Sequence, residues 1–143
     1  MIGLDTNVLA RYYLATDDAD AATQRHTQKQ QQAAKRLLEG SQALYVAKTV
    51  LLELEWVMRG AYSCTRAQFA GVLEHLLASP HITMEDRLSV EAALLGHGSG
   101  LDFADALHHA TYRSCNAMAS FDDRKFARRV NKLGMQPALS VPR

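Results

Sequence analysis

Short apolar runs alternate with longer stretches in which apolar residues recur at helical spacing. Met1 to Leu4 is apolar and is closed by Asp5-Thr6-Asn7. This predicts a strand that opens at the first residue, expected in the middle of a sheet, and a helix from about Val8. Asp17 to Gly40 is polar and rich in Gln and Ala, with a weak stripe of Ala33, Leu37 and Leu38. It reads as a helix stopped by Gly40, with Gln28–Gln32 on its solvated face. Ala43 to Ala47 is a second short strand. Val50 to Arg59 is a helix apolar on most sides, so it is expected to be well buried. Thr65-Arg66-Ala67-Gln68 is a capping box, and Phe69, Val72, Leu73, Leu76 and Leu77 follow on one helical face. After Pro80, Ile82 centres a strand and Thr83 to Asp86 repeats the capping-box pattern. Leu88, Ala92 and Leu95 mark the inward face of a helix that ends at Gly96-His97-Gly98-Ser99-Gly100, read as a loop. A helix starting at Ser99 or Asp102 runs to about Arg113, and Ala117–Ala119 is a strand. Phe121 and Phe126 stand as a hydrophobic staple around Asp122 as N-cap. Phe126, Val130 and Leu133 face inward as far as Gly134, and Met135 to Leu139 is a last strand.

Strands alternating with helices long enough to cross over predict an α/β fold. The expectation is a central parallel β-sheet of four to five strands sandwiched by α-helices, as a single domain over residues 1–143. No repeat or linker interrupts it. In open parallel sheets, sites lie beyond the carboxyl ends of the strands. Composition is ordinary for a globular fold, with 48% hydrophobic and 22% charged residues. Net charge is +1, so any nucleic-acid contact must come from a local patch. Cys64 and Cys115 form no disulfide framework, which suits a reduced cytoplasmic compartment. No apolar run spans a membrane, and Asp5 and Asn7 interrupt what would be a signal peptide.

The chemistry lies in carboxylates placed at strand–helix junctions. An acid among apolar residues is costly to bury unless something pairs with it. Asp5 follows the first strand, where helix capping is an equal explanation. Glu53 sits among Leu51, Leu52 and Leu54, mid-helix, where no cap explains it. Glu55 is two residues on and points elsewhere. A buried salt bridge is the competing explanation for Glu53. Asp102 and Asp105 are three apart and share a helical face; Asp102 suits an N-cap, and Asp105 lies between two alanines. Asp122 ends the fourth strand, with Asp123 one step round. Carboxylates without cysteine or convergent histidine select Mg²⁺ or Mn²⁺ over zinc. A two-ion site would hold them roughly 3.5–4 Å apart. His108 and His109 are better read as packed or solvated than as ligands.

The last long helix carries Lys125, Arg128, Arg129 and Lys132 on an arc apart from its apolar face. Such a stripe is usually a solvated face, but it leads away from Asp122 and would suit a phosphate backbone. Arg124, Lys125 and Arg128 are the candidate contacts to such a backbone. No Gly-rich phosphate loop or dinucleotide-binding turn is present.

Leu4-Asp5-Thr6-Asn7-Val8-Leu9, Glu53-Leu54-Glu55-Trp56-Val57, Phe103-Ala104-Asp105-Ala106 and Ser120-Phe121-Asp122 resemble the motifs of PIN-domain ribonucleases, most closely the VapC-type toxins. The resemblance covers the whole chain, in order. It implies a homodimer, a Mg²⁺- or Mn²⁺-dependent endoribonuclease, and a cognate VapB-like antitoxin whose tail occupies an acidic groove. By position, Asp5, Glu53, Asp105 and Asp122 match the acidic quartet. Thr6, Asn7 and Ser120 match supporting residues, with Asp102 and Asp123 as peripheral acids. Asp5, Asp105 and Asp122 would then ligate the principal ion and Glu53 would complete the site. In-line hydrolysis would leave a 5′-phosphate and a 3′-hydroxyl. Two other readings compete. A haloacid-dehalogenase-like phosphotransferase would also use Asp5, but Asn7 stands where its second aspartate is expected. A non-catalytic module would use its acids only to dock a basic partner.

Overall fold

The computed structural model describes residues 1–14 and 20–143. They form two compact units, Met1–Glu85 and Asp86–Arg143.

The first unit runs β1 (Ile2–Gly3), α1 (Thr6–Tyr13), α2 (Ala21–Leu38), β2 (Leu44–Val46), α3 (Lys48–Gly60), α4 (Arg66–Ala78) and β3 (Ile82–Met84). Its three strands are parallel, in the order β1-β2-β3. Ile2 pairs with Leu44, and Leu44 with Ile82. The predicted polar stretch starts at Asp17, and residues 17–19 lie outside the described ones; its described part is α2, capped by Asp20. The expected central place of β1 concerns a sheet of four to five strands; the first unit's own three strands run β1-β2-β3. β2 holds the centre, with Leu44 and Val46 fully buried, while β1 lies at the edge and is exposed. The capping box opens α4 as the sequence predicts, and Phe69, Leu73 and Leu76 are buried behind it. α3 begins without a side-chain cap of its own. The Glu85 carboxylate at the end of β3 fills that role, accepting from the Lys48 N–H at 2.8 Å. At the other end of α2, His81 Nε2 donates to the Leu38 carbonyl at 2.6 Å, satisfying a helix-terminal acceptor.

The second unit runs α5 (Arg87–Gly98), α6 (Phe103–Thr111), β4 (Ala117–Ala119), α7 (Phe126–Lys132) and β5 (Ala138–Ser140). β4 and β5 pair in parallel, Met118 against Leu139. The fold is therefore the expected α/β type with parallel strands, described as a three-stranded and a two-stranded sheet.

α5 departs from the sequence reading in three ways. Thr83 belongs to β3, and Asp86 opens the helix at φ 49° with no side-chain cap. The glycine-rich run from Gly96 does not end the helix, which continues to Gly98. Leu88 and Leu95 point outward, 68% and 75% exposed, while Ser89, Val90, Ala93, Gly96 and His97 are buried. The cause is the close seam with α6. A Cβ on Gly96 would meet Leu101 Cδ1 at 3.1 Å and the Ala106 Cβ at 3.3 Å. Ser89 Oγ donates to the Ala110 carbonyl at 3.2 Å. Arg113 spans the seam, donating to Asp86 Oδ1 at 2.9 Å and to Ser89 Oγ. Small residues permit this approach and leucines would prevent it.

The C-terminal elements are tied by polar contacts. His109, buried in α6, donates from Nε2 to the Pro137 carbonyl at 2.6 Å and sets its ring edge-on to Phe126. The Asn131 side chain bonds both backbone groups of Leu139, at 3.1 and 3.3 Å. The predicted staple does not form: Phe126 is buried but Phe121 is exposed. Leu133, predicted inward, is half exposed.

Candidate active site

In the first unit, Asp5 is exposed at the end of β1 and caps α1, its Oδ1 accepting from the Thr6 N–H at 2.8 Å. Thr6 is buried, and its Oγ1 has no hydrogen-bond partner among the described residues. Asn7 is exposed and lines a cavity of about 350 Å³ with Val8, Arg11, Gln30, Ala33, Ala34 and Leu37. Glu53 lies in the second turn of α3. It is exposed, contrary to the expectation of a buried acid. α3 buries Leu51, Leu54 and Met58, and Glu53 falls on the opposite stripe with Thr49, Trp56 and Arg59. Sequence neighbours surround Glu53 only on paper, because each helical step turns the side chain by about 100°.

In the second unit, Asp102 caps α6, its Oδ2 accepting from the Asp105 N–H at 3.3 Å. Asp105 is half-buried in the first turn. Its carboxyl is pushed above the ordinary value, first by burial and then by the charges of Asp102 and Asp122; His108 pulls it partly back. The charges of Asp102 and Asp122 thus act on Asp105, which is the crowded member. Asp122 follows β4, its N–H donating to Ser120 Oγ at 3.1 Å. Its own Oδ1 accepts from Lys125 and Phe126 at the start of α7. Asp123 is exposed. Arg124, Lys125 and Arg128 are exposed as well. Arg129, part of the same basic arc in the sequence, is used structurally: its guanidinium donates to the Gly100 carbonyl. Gly100 has φ +103°, which favours glycine, and a Cβ there would meet the Arg129 guanidinium at 2.6 Å. Gly100 marks a turn that composition alone did not separate from its neighbours.

The candidate donors are carboxylate, hydroxyl and amide oxygens, which in kind fit a hard divalent cation. The crowding at Asp105 is a feature that such an ion would relieve. Among the described residues, no group of three or more His, Cys, Asp and Glu side chains stands in an arrangement that could hold a metal. A cavity of about 610 Å³, lined by Arg11, Tyr12, Tyr13, His75 and polar residues of α2, contains none of the four acids. There Tyr13 and His75 Nδ1 are 2.5 Å apart, and burial raises the Tyr13 hydroxyl well above its ordinary range.

No helix among the described residues is long and apolar enough to cross a membrane. No curated protein and no solved structure matches the chain significantly. The PIN domain family model matches residues 2–132, and proteins of that family are generally metal-dependent nucleases that bind RNA. With its match extending through both compact units, the chain belongs to the PIN domain family.

Proposed function

We propose that the chain is a Mg²⁺- or Mn²⁺-dependent endoribonuclease, working as a single nuclease domain over residues 1–143 and serving as the toxin of a type II toxin–antitoxin pair. The observation that carries this reading is the extent of the family match, which takes in all four acids of the quartet. Asp5, Asp105 and Asp122 would hold the principal ion, with Glu53 completing the set. When bound, such an ion lowers the pKa of a water and offsets charge on a phosphodiester.

The chain's own residues supply orientation. Asp102 fixes the first turn of α6 and with it Asp105. Ser120 holds the backbone of Asp122, and Thr6 lies beside Asp5. Arg124, Lys125 and Arg128, all exposed, would meet RNA phosphates. Asp123 would be a peripheral acid. The products would be a 5′-phosphate and a 3′-hydroxyl. A cytoplasmic homodimer, neutralised by a VapB-like antitoxin with a basic tail on the acids, completes the proposal. The cavity of Val8, Ala33, Ala34 and Leu37, beside Asn7, supports a partner surface between α1 and α2.

The test is RNA cleavage with Mg²⁺ or Mn²⁺, run beside EDTA and an Asp5→Asn variant. Cleavage that survives both would refute the mechanism. A phospho-aspartate trapped on Asp5 would favour the phosphotransferase instead.

A further inference from the structure

His109 is fully buried in α6, one helical turn after Asp105. It is not among the proposed ligands. A buried imidazole needs a partner for its ring N–H, a demand that a leucine of similar bulk would not make. His109 meets that demand through Nε2, which donates to the Pro137 carbonyl at 2.6 Å, just before β5. The bond fixes where β5 starts relative to the helix that carries Asp105.

β5 carries this placement on to Asp122. It pairs with β4 from Ala117 against Ala138 to Ala119 against Ser140. Past that ladder the Ser120 N–H donates to the Ser140 carbonyl at 3.0 Å, and Ser120 Oγ accepts from the Asp122 N–H at 3.1 Å. A second path is shorter. The His109 ring stands edge-on to Phe126, with centroids 6.2 Å apart, and the Phe126 N–H donates to Asp122 Oδ1 at 3.4 Å. One path ends on the backbone of Asp122 and the other on its carboxylate. We infer that His109 is a positioning residue that sets the spacing of the Asp105 and Asp122 carboxylates. This deepens the nuclease reading and rests on it. A buried, directional bond selects one arrangement, where apolar packing tolerates several. Two carboxylates that share an ion need that selection, because a misplacement of about 1 Å can cost about 100-fold in rate. The part of the Asp105 pKa rise that comes from Asp122 agrees with acids held near each other.

The full chain is compared with His109→Leu, which keeps apolar bulk and loses the donor, and with His109→Gln, whose amide N–H can reach the same carbonyl. Leu73→Ala, a core truncation in α4, shows what a lowered urea midpoint costs by itself. Mn²⁺ binding is measured by calorimetry without RNA, and kcat and KM by RNA cleavage at saturating Mn²⁺. His109→Leu should weaken Mn²⁺ binding and lower kcat, each by about 10- to 100-fold, the range for groups that orient metal ligands. KM for RNA should not change. His109→Gln should recover most of both losses. Losses in His109→Leu no greater than those of Leu73→Ala, or no recovery in His109→Gln, would overturn the inference. So would a rise in KM with kcat unchanged. Wild type that binds Mn²⁺ but leaves RNA intact ends the nuclease reading, and the Mn²⁺ titrations of the three proteins still decide the role of His109. Wild type that cleaves RNA, matched by His109→Leu in Mn²⁺ affinity and kcat, removes the positioning role and leaves the nuclease.

Discussion

α3 and α6 each carry one acid of the proposed quartet, and they treat it in opposite ways. α6 half-buries Asp105 in its first turn, beside Asp102 and within reach of the charge of Asp122, so its carboxyl resists ionisation. α3 presents Glu53 to water on a polar stripe, with its leucines turned to the core. The difference separates two kinds of functional acid. A crowded carboxylate stores repulsion that a cation relieves. An exposed one carries no such penalty, and any importance it has must come from what it meets outside the fold.

The largest effect should follow from Asp105→Asn. RNA cleavage should fall by at least about 100-fold, since loss of even an outer-sphere partner can cost 10–100-fold. Stability should move the other way. Asp105 has a native pKa raised above its unfolded value, so the native state holds this proton longer than the unfolded chain does. The resulting stabilisation is fully present below the unfolded carboxylate range and is lost as pH rises through the native pKa. In EDTA, the margin by which the variant outmelts wild type should therefore open as pH rises from the unfolded carboxylate range to the native pKa, and hold constant above it. Added Mn²⁺ at neutral pH should close the gap by raising wild type alone. Melting curves that stay parallel across the pH series would show that Asp105 is not crowded in solution.

Glu53→Gln should sharpen the contrast. An exposed side chain on a solvated stripe should shift stability by no more than about 0.5 kcal/mol. Cleavage should nevertheless fall by about 10- to 100-fold, as expected for a group that orients the site. Denaturant midpoints and initial rates, measured on the same preparations, separate the two readouts. A stability loss as large as that of a core substitution would mean that Glu53 is buried after all.

How legible these helices were depended on what packs against them. α4 reads correctly because a capping box marks its start and its large apolar residues, Phe69, Leu73 and Leu76, are the ones buried. β4 reads to the residue, bounded by the turn before Ala117 and by Ser120 and Asp122 after it. The α5 reading fails because hydrophobicity ranks Leu88 and Leu95 above Ser89, Ala93 and Gly96. Close approach of α6 selects the small residues instead. Glu53 fails for a related reason: proximity along the chain is not proximity in a helix. The types and positions of the candidate acids were legible at strand–helix junctions. Their environments were not, because exposure and mutual repulsion depend on packing between elements.

The α5 seam lies directly beneath this comparison, because Gly96 sits against Ala106, the residue after Asp105. Gly96→Leu should therefore disturb the crowded acid without touching it. The added branch has no room at 3.1 Å from Leu101 and 3.3 Å from the Ala106 Cβ. Overpacking of this kind costs about 1–3 kcal/mol. α6 must shift to make space, exposing Asp105 and weakening the pH dependence described above. Leu95→Lys, one residue away on the outward face, is the matched control. It removes a leucine that the hydrophobic pattern marks as core, yet its 75% exposure predicts a change within about 0.5 kcal/mol. The pair is read by urea midpoints. If Leu95→Lys is the more damaging, the sequence pattern is right and the orientation of α5 is wrong. If Gly96→Leu is, small residues set the α5–α6 seam, and a weakened pH dependence in that variant ties the crowding of Asp105 to the seam.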